Sequence, residues 1–311
     1  MAQPSSFKFG FNRRSTAEQV TEGVDLSGKT ILITGVGSGL GYESMRVLAK
    51  RGAHIVGIDR TMDAAKKACG EVSGTATPFA CDMSDPEAIV ACVKVIREQF
   101  SSLDVVINNA GIMAPPLTLV HKYKEPLEIQ FAVNFLGNFV LINHLMPLLK
   151  AADSARIVLI ASGAYVAAPK KEGILFDNLD WHTGYDGLTA YGHSKLAVML
   201  MNKVLAERLE GTTVSSNAIH PGLIRTQLAL DTKTLKVKLI SKFGGLFMRS
   251  IPQGAATQCL VATHARLEGV NGEHFADCNS KEAIGHATDM ALAKKLWEKA
   301  TFLAENYLVA S

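Results

Sequence analysis

The sequence contains no run of 18 or more apolar residues, so a membrane-spanning helix is not expected. Its N-terminus lacks the apolar core of a secretory signal. Residues 1–17 hold Lys8, Arg13 and Arg14 and no acid, a faint likeness to a transit peptide, but a solvated tail is the favoured reading. A dominant charge is also missing. The 32 Lys and Arg against 29 Asp and Glu leave a formal charge of +3, too little to point to nucleic acid. Cysteine is sparse and odd in number: Cys69, Cys81, Cys92, Cys259 and Cys278. There is no Cys-x-x-Cys pair and no His/Cys cluster at zinc spacing, which argues against a disulfide framework and a metal site. Free thiols in a reducing compartment are expected, and with no targeting segment the cytoplasm is the expected location. No internal repeat or low-complexity linker divides the chain.

What is present is an ordinary globular composition, 48% hydrophobic and 20% charged over 311 residues. Short β-branched runs alternate with amphipathic stretches. Strands are expected at 30–35, 54–59, 76–82, 105–111, 156–162, 214–222 and 272–278. Helices are expected near 40–51, 61–69, 85–100, 125–150, 191–210, 253–265 and 286–304. The first five strands are apolar on both faces, as parallel strands are when helices cover both sides. The alternation implies an α/β fold: one doubly wound parallel sheet of about seven strands, Rossmann-type, over residues 28–311. Residues 1–27 form an extension with a short helix, whose Ser15 and Glu18 have capping-box spacing. Two segments, 163–190 and 223–252, exceed the usual connection length and follow the carboxyl ends of strands, where ligands bind in such sheets.

The first strand runs into "TGVGSGLG" and then a helix. Gly35, Gly37, Gly39 and Gly41, with Ser38 and Leu40 between them, allow a tight turn that approaches a pyrophosphate closely. The helix N-terminus behind them offers free N–H groups and a positive dipole end. Asp59 ends the second strand, where a carboxylate accepts from adenosine ribose hydroxyls and repels a 2′-phosphate. NAD is therefore favoured. Arg60 beside it softens that preference, so NADP is not excluded. Asp82 closes the third strand, where it is placed either to meet the adenine amino group or simply to serve as an acid at a helix N-terminus. "NNAG" closes the fourth. Asn108 is expected to tie neighbouring strands, and Ala110 and Gly111 to keep the floor low beneath a ribose.

"TGVGSGLG", "NNAG", Ser162 after a strand, "YGHSK" and "HPG" occur in one order and one topology. With six Tyr and 21 Lys in the chain, a Tyr-x-x-x-Lys match alone proves little; the combination carries the weight. It resembles the short-chain dehydrogenase/reductase superfamily over roughly residues 28–280. "STAEQVTEGVDLSGKT", "FAVNFLGNFVLINHLMPLLK", "FDNLDW" and "AYGHSKLAVMLMNKVLAERLEG" resemble its retinol-dehydrogenase and WW-domain-oxidoreductase-like branch. That resemblance implies a tetrad of Asn134, Ser162, Tyr191 and Lys195. Tyr191 would be the acid/base, Ser162 would hold the substrate oxygen, and Asn134 would anchor a water linking Lys195 to solvent. Lys195 would also bond the nicotinamide ribose. The same resemblance extends the cofactor contacts to Met83, Asn109, Pro221, Gly222, Ile224 and Thr226. On physical grounds a free phenol titrates near 10. A unit positive charge about 4 Å away is worth about 4 kcal/mol at an effective dielectric of 20, enough to lower that by about three units if desolvation does not oppose it. His193 points to another helix face and is expected to be a bystander or substrate-side trim, and His220 to pack or bond locally.

The ligand-side segments carry Tyr165, Phe176, Trp181 and Tyr185, and then Leu223, Leu228, Leu230, Phe243, Leu246, Phe247 and Met248. They either line a pocket for a bulky apolar alcohol or ketone, or simply pack the loops down. Residues 235–248 have an apolar helical face, read as a lid with weak membrane-surface association as the alternative. The expected function is reversible hydride transfer between a nicotinamide cofactor and such a small molecule. The alternatives are an NADPH-dependent carbonyl reductase and a non-catalytic dinucleotide-binding scaffold or redox sensor. By resemblance the chain is expected to form a dimer or tetramer through the helices at 125–150 and 191–210.

Overall fold

The computed structural model describes residues 7–224 and 248–309. Thr226 and nearly all of the expected lid fall outside the described residues. The chain opens with a short helix α1 (Ala17–Val20). Its capping box is made by Thr16 and Gln19, not by Ser15 and Glu18: Thr16 accepts from the Gln19 amide while Gln19 reaches back to the Thr16 amide. Both pairs have the same spacing, and the extended Thr16 backbone selects between them.

Strands β1 (Thr30–Thr34), β2 (His54–Asp59), β3 (Thr75–Ala80) and β4 (Val105–Asn108) alternate with helices α2 (Gly39–Lys50), α3 (Met62–Glu71) and α4 (Pro86–Gln99). A small antiparallel ribbon follows, β5 (Leu119–Val120) with β6 (Leu127–Glu128). Next comes a nearly continuous helix: α5 (Ile129–Phe131), a π-helical turn (Ala132–Leu136) and α6 (Gly137–Lys150). Then come β7 (Ala155–Ile160), α7 (Gly187–Arg208), β8 (Val214–His220), α8 (Ile251–Thr263), β9 (His274–Ala276), β10 (Asn279–Ser280) and α9 (Met290–Leu303).

The main sheet has order β10-β9-β8-β7-β4-β1-β2-β3. Every pairing is parallel except β10 on β9. The sheet therefore has eight strands rather than about seven. The additional one is a two-residue edge, too short to leave a period in the sequence. Chain order reverses between β1 and β4, and in an open parallel sheet the carboxyl ends at that switch point form the ligand crevice.

Alternate residues feed the two sides of the sheet. Leu32, Val56 and Val106 pack with α4, α6 and α7 on one side. Ile31, Ile33, Ile55 and Ile107 pack with α2 and α8 on the other. All five cysteines are buried free thiols. The stretch Ile129–Lys150 is long and apolar enough to cross a membrane by length and composition, but 78% of it is buried inside the protein.

Candidate active site

The glycine loop sits at the switch point. Gly35 turns at φ +74 and its amide donates to Ile58 O at 2.7 Å. A Cβ on Gly41 would lie 2.1 Å from Gly35 O, so the helix can fold back against the turn only without a side chain there. The Gly37 amide donates to Asp59 Oδ2 at 2.7 Å, and the Arg60 amide to Oδ1 at 2.8 Å. Asp59 thus shapes the loop and keeps further lone pairs for a diol. Arg60 is exposed. Ser38 begins α2 without a side-chain cap bond, and the first turn of the helix holds no acid. Its N–H groups are left for an anion. Leu40 lies against the place a Gly254 Cβ would occupy, as does Ile224.

Asp82 Oδ1 accepts from the Ser84 amide and hydroxyl at 2.8 and 2.7 Å, and its other oxygen meets no donor among the described residues. The Met83 side chain is core, 5% exposed, while its carbonyl rests where a Gly137 Cβ would sit. The strand tie expected of Asn108 is made by its neighbour. Asn109 Nδ2 donates to Thr34 O at 2.9 Å and Gly35 O at 3.3 Å. Asn108 is buried, and both its amide atoms lack partners among the described residues. Strand alternation puts only one of two adjacent asparagines on the loop side. The Ala110 amide donates to Thr34 Oγ1 at 2.9 Å, which completes the floor. These shapes and donors fit a dinucleotide: a side-chain-free cradle, an uncapped helix end and a carboxylate at the second strand's tip.

At the other end of the crevice the structure gathers Asn134, Ser162, Tyr191 and Lys195. Asn134 lies in the π-helical turn, a distortion that often marks a functional position. Its amide is fully used: Oδ1 accepts from the Ile112 amide at 2.8 Å, and Nδ2 donates to Ile112 O and to Ser194 Oγ at 3.0 and 2.9 Å. Ser194 in turn donates to Tyr191 O at 2.8 Å, so the middle of "YGHSK" locks α7 to the π turn. Sequence reasoning passed over Ser194. A Cβ on Gly111 would lie 3.0 Å from Asn134 Oδ1 and 3.5 Å from Lys195 Nζ, which puts those two groups beside one glycine.

Lys195 Nζ donates to Ile160 O at 2.7 Å and lies 5.7 Å from the Tyr191 ring centre. Burial pulls its pKa down to about 8. Burial also pushes the Tyr191 phenol up, and a hydrogen bond from Ser162 opposes the rise. The Coulombic lowering expected from Lys195 does not set the direction in the chain alone, where burial penalises both charges. Ser162 Oγ accepts from the Ala164 amide at 3.2 Å.

His193 is not a bystander. It is fully buried, stacks on Phe131 and accepts from the Leu175 amide at 3.1 Å. Its pKa is pulled down to about 3 by burial, so it is a neutral anchor for segment 163–190. That segment packs down. Trp181 is 4% exposed at φ +54 and meets the His193 ring edge-on, and Tyr165 is 7% exposed. Tyr185 donates to Pro115 O at 2.6 Å. Among the described apolar residues of the two segments, Val166 and Leu223 stand exposed, at 58% and 49%.

Pro221 is buried, and Gly222 has φ +94. A residue missed by sequence reasoning explains that turn. Arg249 covers Gly222, donates to Pro221 O at 3.1 Å and pairs with Asp277. Its backbone bridges Ile224, which closes the base of the second segment. No pattern marks it, because its partners come from two distant parts of the chain, 221–224 and Asp277.

Known proteins share this architecture. The short chain dehydrogenase profile matches residues 29–172. The chain is 35% identical over 311 residues to "Short-chain dehydrogenase TIC 32 A, chloroplastic" of Brassica napus, covering 96% of each. It is 34% identical to "Retinol dehydrogenase 14" of Homo sapiens, over 88% of this chain and 85% of that one. An uncharacterized protein from Mycobacterium Paratuberculosis has the same fold at TM-score 0.73 and 27% identity, covering 92% of this chain and 97% of the other. A structure described as an NAD(P) dependent gluconate 5-dehydrogenase from Beutenbergia cavernae, with bound NADP, matches at TM-score 0.63 and 25% identity, over 81% and 96%.

Proposed function

The chain belongs to the short-chain dehydrogenase family, and we propose that it is an NAD-dependent alcohol dehydrogenase acting on a bulky apolar alcohol or ketone. The observation that carries this is the convergence of Ser162, Tyr191 and Lys195 at the crevice whose other end is the Gly35–Gly41 cradle. When bound, the nicotinamide supplies or accepts the hydride. Ser162 holds the substrate oxygen through its hydroxyl proton. Tyr191 takes or returns the carbinol proton at its phenolic oxygen. Lys195 has three donors, one already on Ile160 O, and the others are left for a ribose hydroxyl and a water. Asn134 fixes the π turn beside that ammonium, which supports its place in a proton relay.

Retinol dehydrogenases among the relatives support an apolar substrate, as does exposed Leu223 at the crevice. A second reading, an NADPH-dependent carbonyl reductase, is favoured by one feature. Both Asp59 oxygens already accept backbone N–H groups, and the exposed Arg60 stands beside them. Intrinsic-fluorescence titration separates the two. The proposal expects NAD to bind about tenfold more tightly than NADP, a difference of about 1.4 kcal/mol; tighter NADP would move the assignment to the reductase. A panel of steroid, retinoid, aromatic and aliphatic secondary alcohols then identifies the substrate class.

A further inference from the structure

We infer that His220 is a positioning residue: its Nδ1 holds the Ser162–Gly163 turn in place and so sets where the Ser162 hydroxyl meets Tyr191. The inference rests on the proposed roles of Ser162 and Tyr191.

Strands β7 and β8 run side by side as far as Ile160 and Ile219. The last sheet bond is from the Ala161 amide to Ile219 O at 2.9 Å. Beyond it β7 leaves the sheet, while His220, the last residue of β8, still pairs with Ala276 of β9; the next link between β7 and β8 is a side chain. The Gly163 amide donates to His220 Nδ1 at 2.9 Å, and the Gly222 amide approaches the same atom at 3.4 Å. One ring nitrogen thus gathers the turn after β7 and the turn after β8. A Cβ on Gly163 would lie 3.1 Å from Nε2, so the ring lies close against that turn and would have to shift slightly for a larger residue. Because Nδ1 accepts, the ring proton sits on Nε2, a tautomer assigned from these bonds.

The chemistry of the surroundings keeps Nδ1 an acceptor. Burial pulls the His220 pKa down to about 4; His274, Arg249 and Lys281 push the same way and Asp277 opposes. The imidazole is neutral through the working pH range. Immediately before Gly163, Ser162 receives the Ala164 amide and bonds to Tyr191. Freeing the Gly163 amide would let that hydroxyl drift, and small misplacements are costly in rate.

The test follows the Tyr191 phenol by NMR of ring-labelled tyrosine, assigned by its loss in Tyr191→Phe. The Ser162 bond lowers the phenol's pKa, so Ser162→Ala gives the upward shift expected when that bond is lost. His220→Asn keeps an acceptor near the Nδ1 position, His220→Gln reaches past it, and His220→Leu has none. The inference expects His220→Leu and His220→Gln to raise the Tyr191 pKa as Ser162→Ala does, and His220→Asn to leave it near wild type. In turnover, the first two should lose about tenfold or more in kcat and the third should recover most of it. If His220→Leu does not fold, the comparison of Gln with Asn decides. Unchanged Tyr191 titration in His220→Gln would overturn the inference. The titration needs no turnover. A wild-type protein that oxidises no alcohol would thus count against the proposed function alone.

Discussion

At the scale of single residues, the site is set by where side chains are absent as much as by where they are present. Gly41 and Gly37 both face the loop but with different tolerances. A Cβ at 41 meets a carbonyl at 2.1 Å, whereas one at 37 meets the Asp59 carboxylate at 2.8 Å, and a side chain can move aside. Gly41→Ala should therefore cost about 1–3 kcal/mol in urea unfolding and weaken NAD binding sharply. Gly37→Ala should cost clearly less; equal losses would show that the loop is not closed in this way. The same scale explains why the Tyr191–Lys195 electrostatics were only half legible in the sequence. Spacing on a helix gives the distance between the two groups, but not how deeply they are buried. In the folded chain, burial decides the direction for both.

At the scale of elements, the parallel strands and the long helices were readable because apolar runs and the 3.6-residue period leave clear marks. What the period cannot show is a change of helix type. The π turn at Ala132–Leu136 keeps the same apolar residues as the helix around it. Arg249 and the choice of Asn109 over Asn108 were hidden for a related reason: each depends on which strand or turn lies alongside. Segment 163–190 stood out by its length in the sequence, but its anchor did not. His193 joins it to α7, and this has a consequence for stability. Its pKa falls from an ordinary 6.5 to about 3 in the folded chain, so the unfolded chain binds the proton first. Its contribution is full above pH 6.5 and is lost as pH falls towards 3, by about 1.4 kcal/mol for each unit at the steepest. Urea midpoints for wild type and His193→Phe should converge as pH drops from 7 to 4. Parallel curves would mean that the imidazole is charged in the fold.

At the scale of the whole molecule, the chain covers its own flanks. Helix α9 lies on α6 and α7: Trp297 meets Phe139 and the Arg208 guanidinium, Lys294 pairs with Glu207, and His144 bonds to Tyr307 O at 2.6 Å. These are the helices through which pairing of copies was expected from the sequence. At the opposite edge, Phe7 bonds to Ser280 of β10, Asn279 donates to Phe11 O, and the Phe9 ring packs on His264. An unpaired strand edge invites association, and here the N-terminal segment occupies it. With that helix face and the β10 edge covered, the protein should run as a monomer in light scattering at micromolar concentration; a dimer would show that another surface, such as the β3 edge, pairs.

The central claim is that Tyr191 moves the proton while the rest of the crevice binds and orients. It is tested most directly by Tyr191→Phe, assayed with NAD and the best alcohol from the panel beside an NAD titration of the same variant. The account predicts NAD binding close to wild type and kcat lower by about 10² or more. A variant that binds NAD and keeps most of its turnover would contradict it.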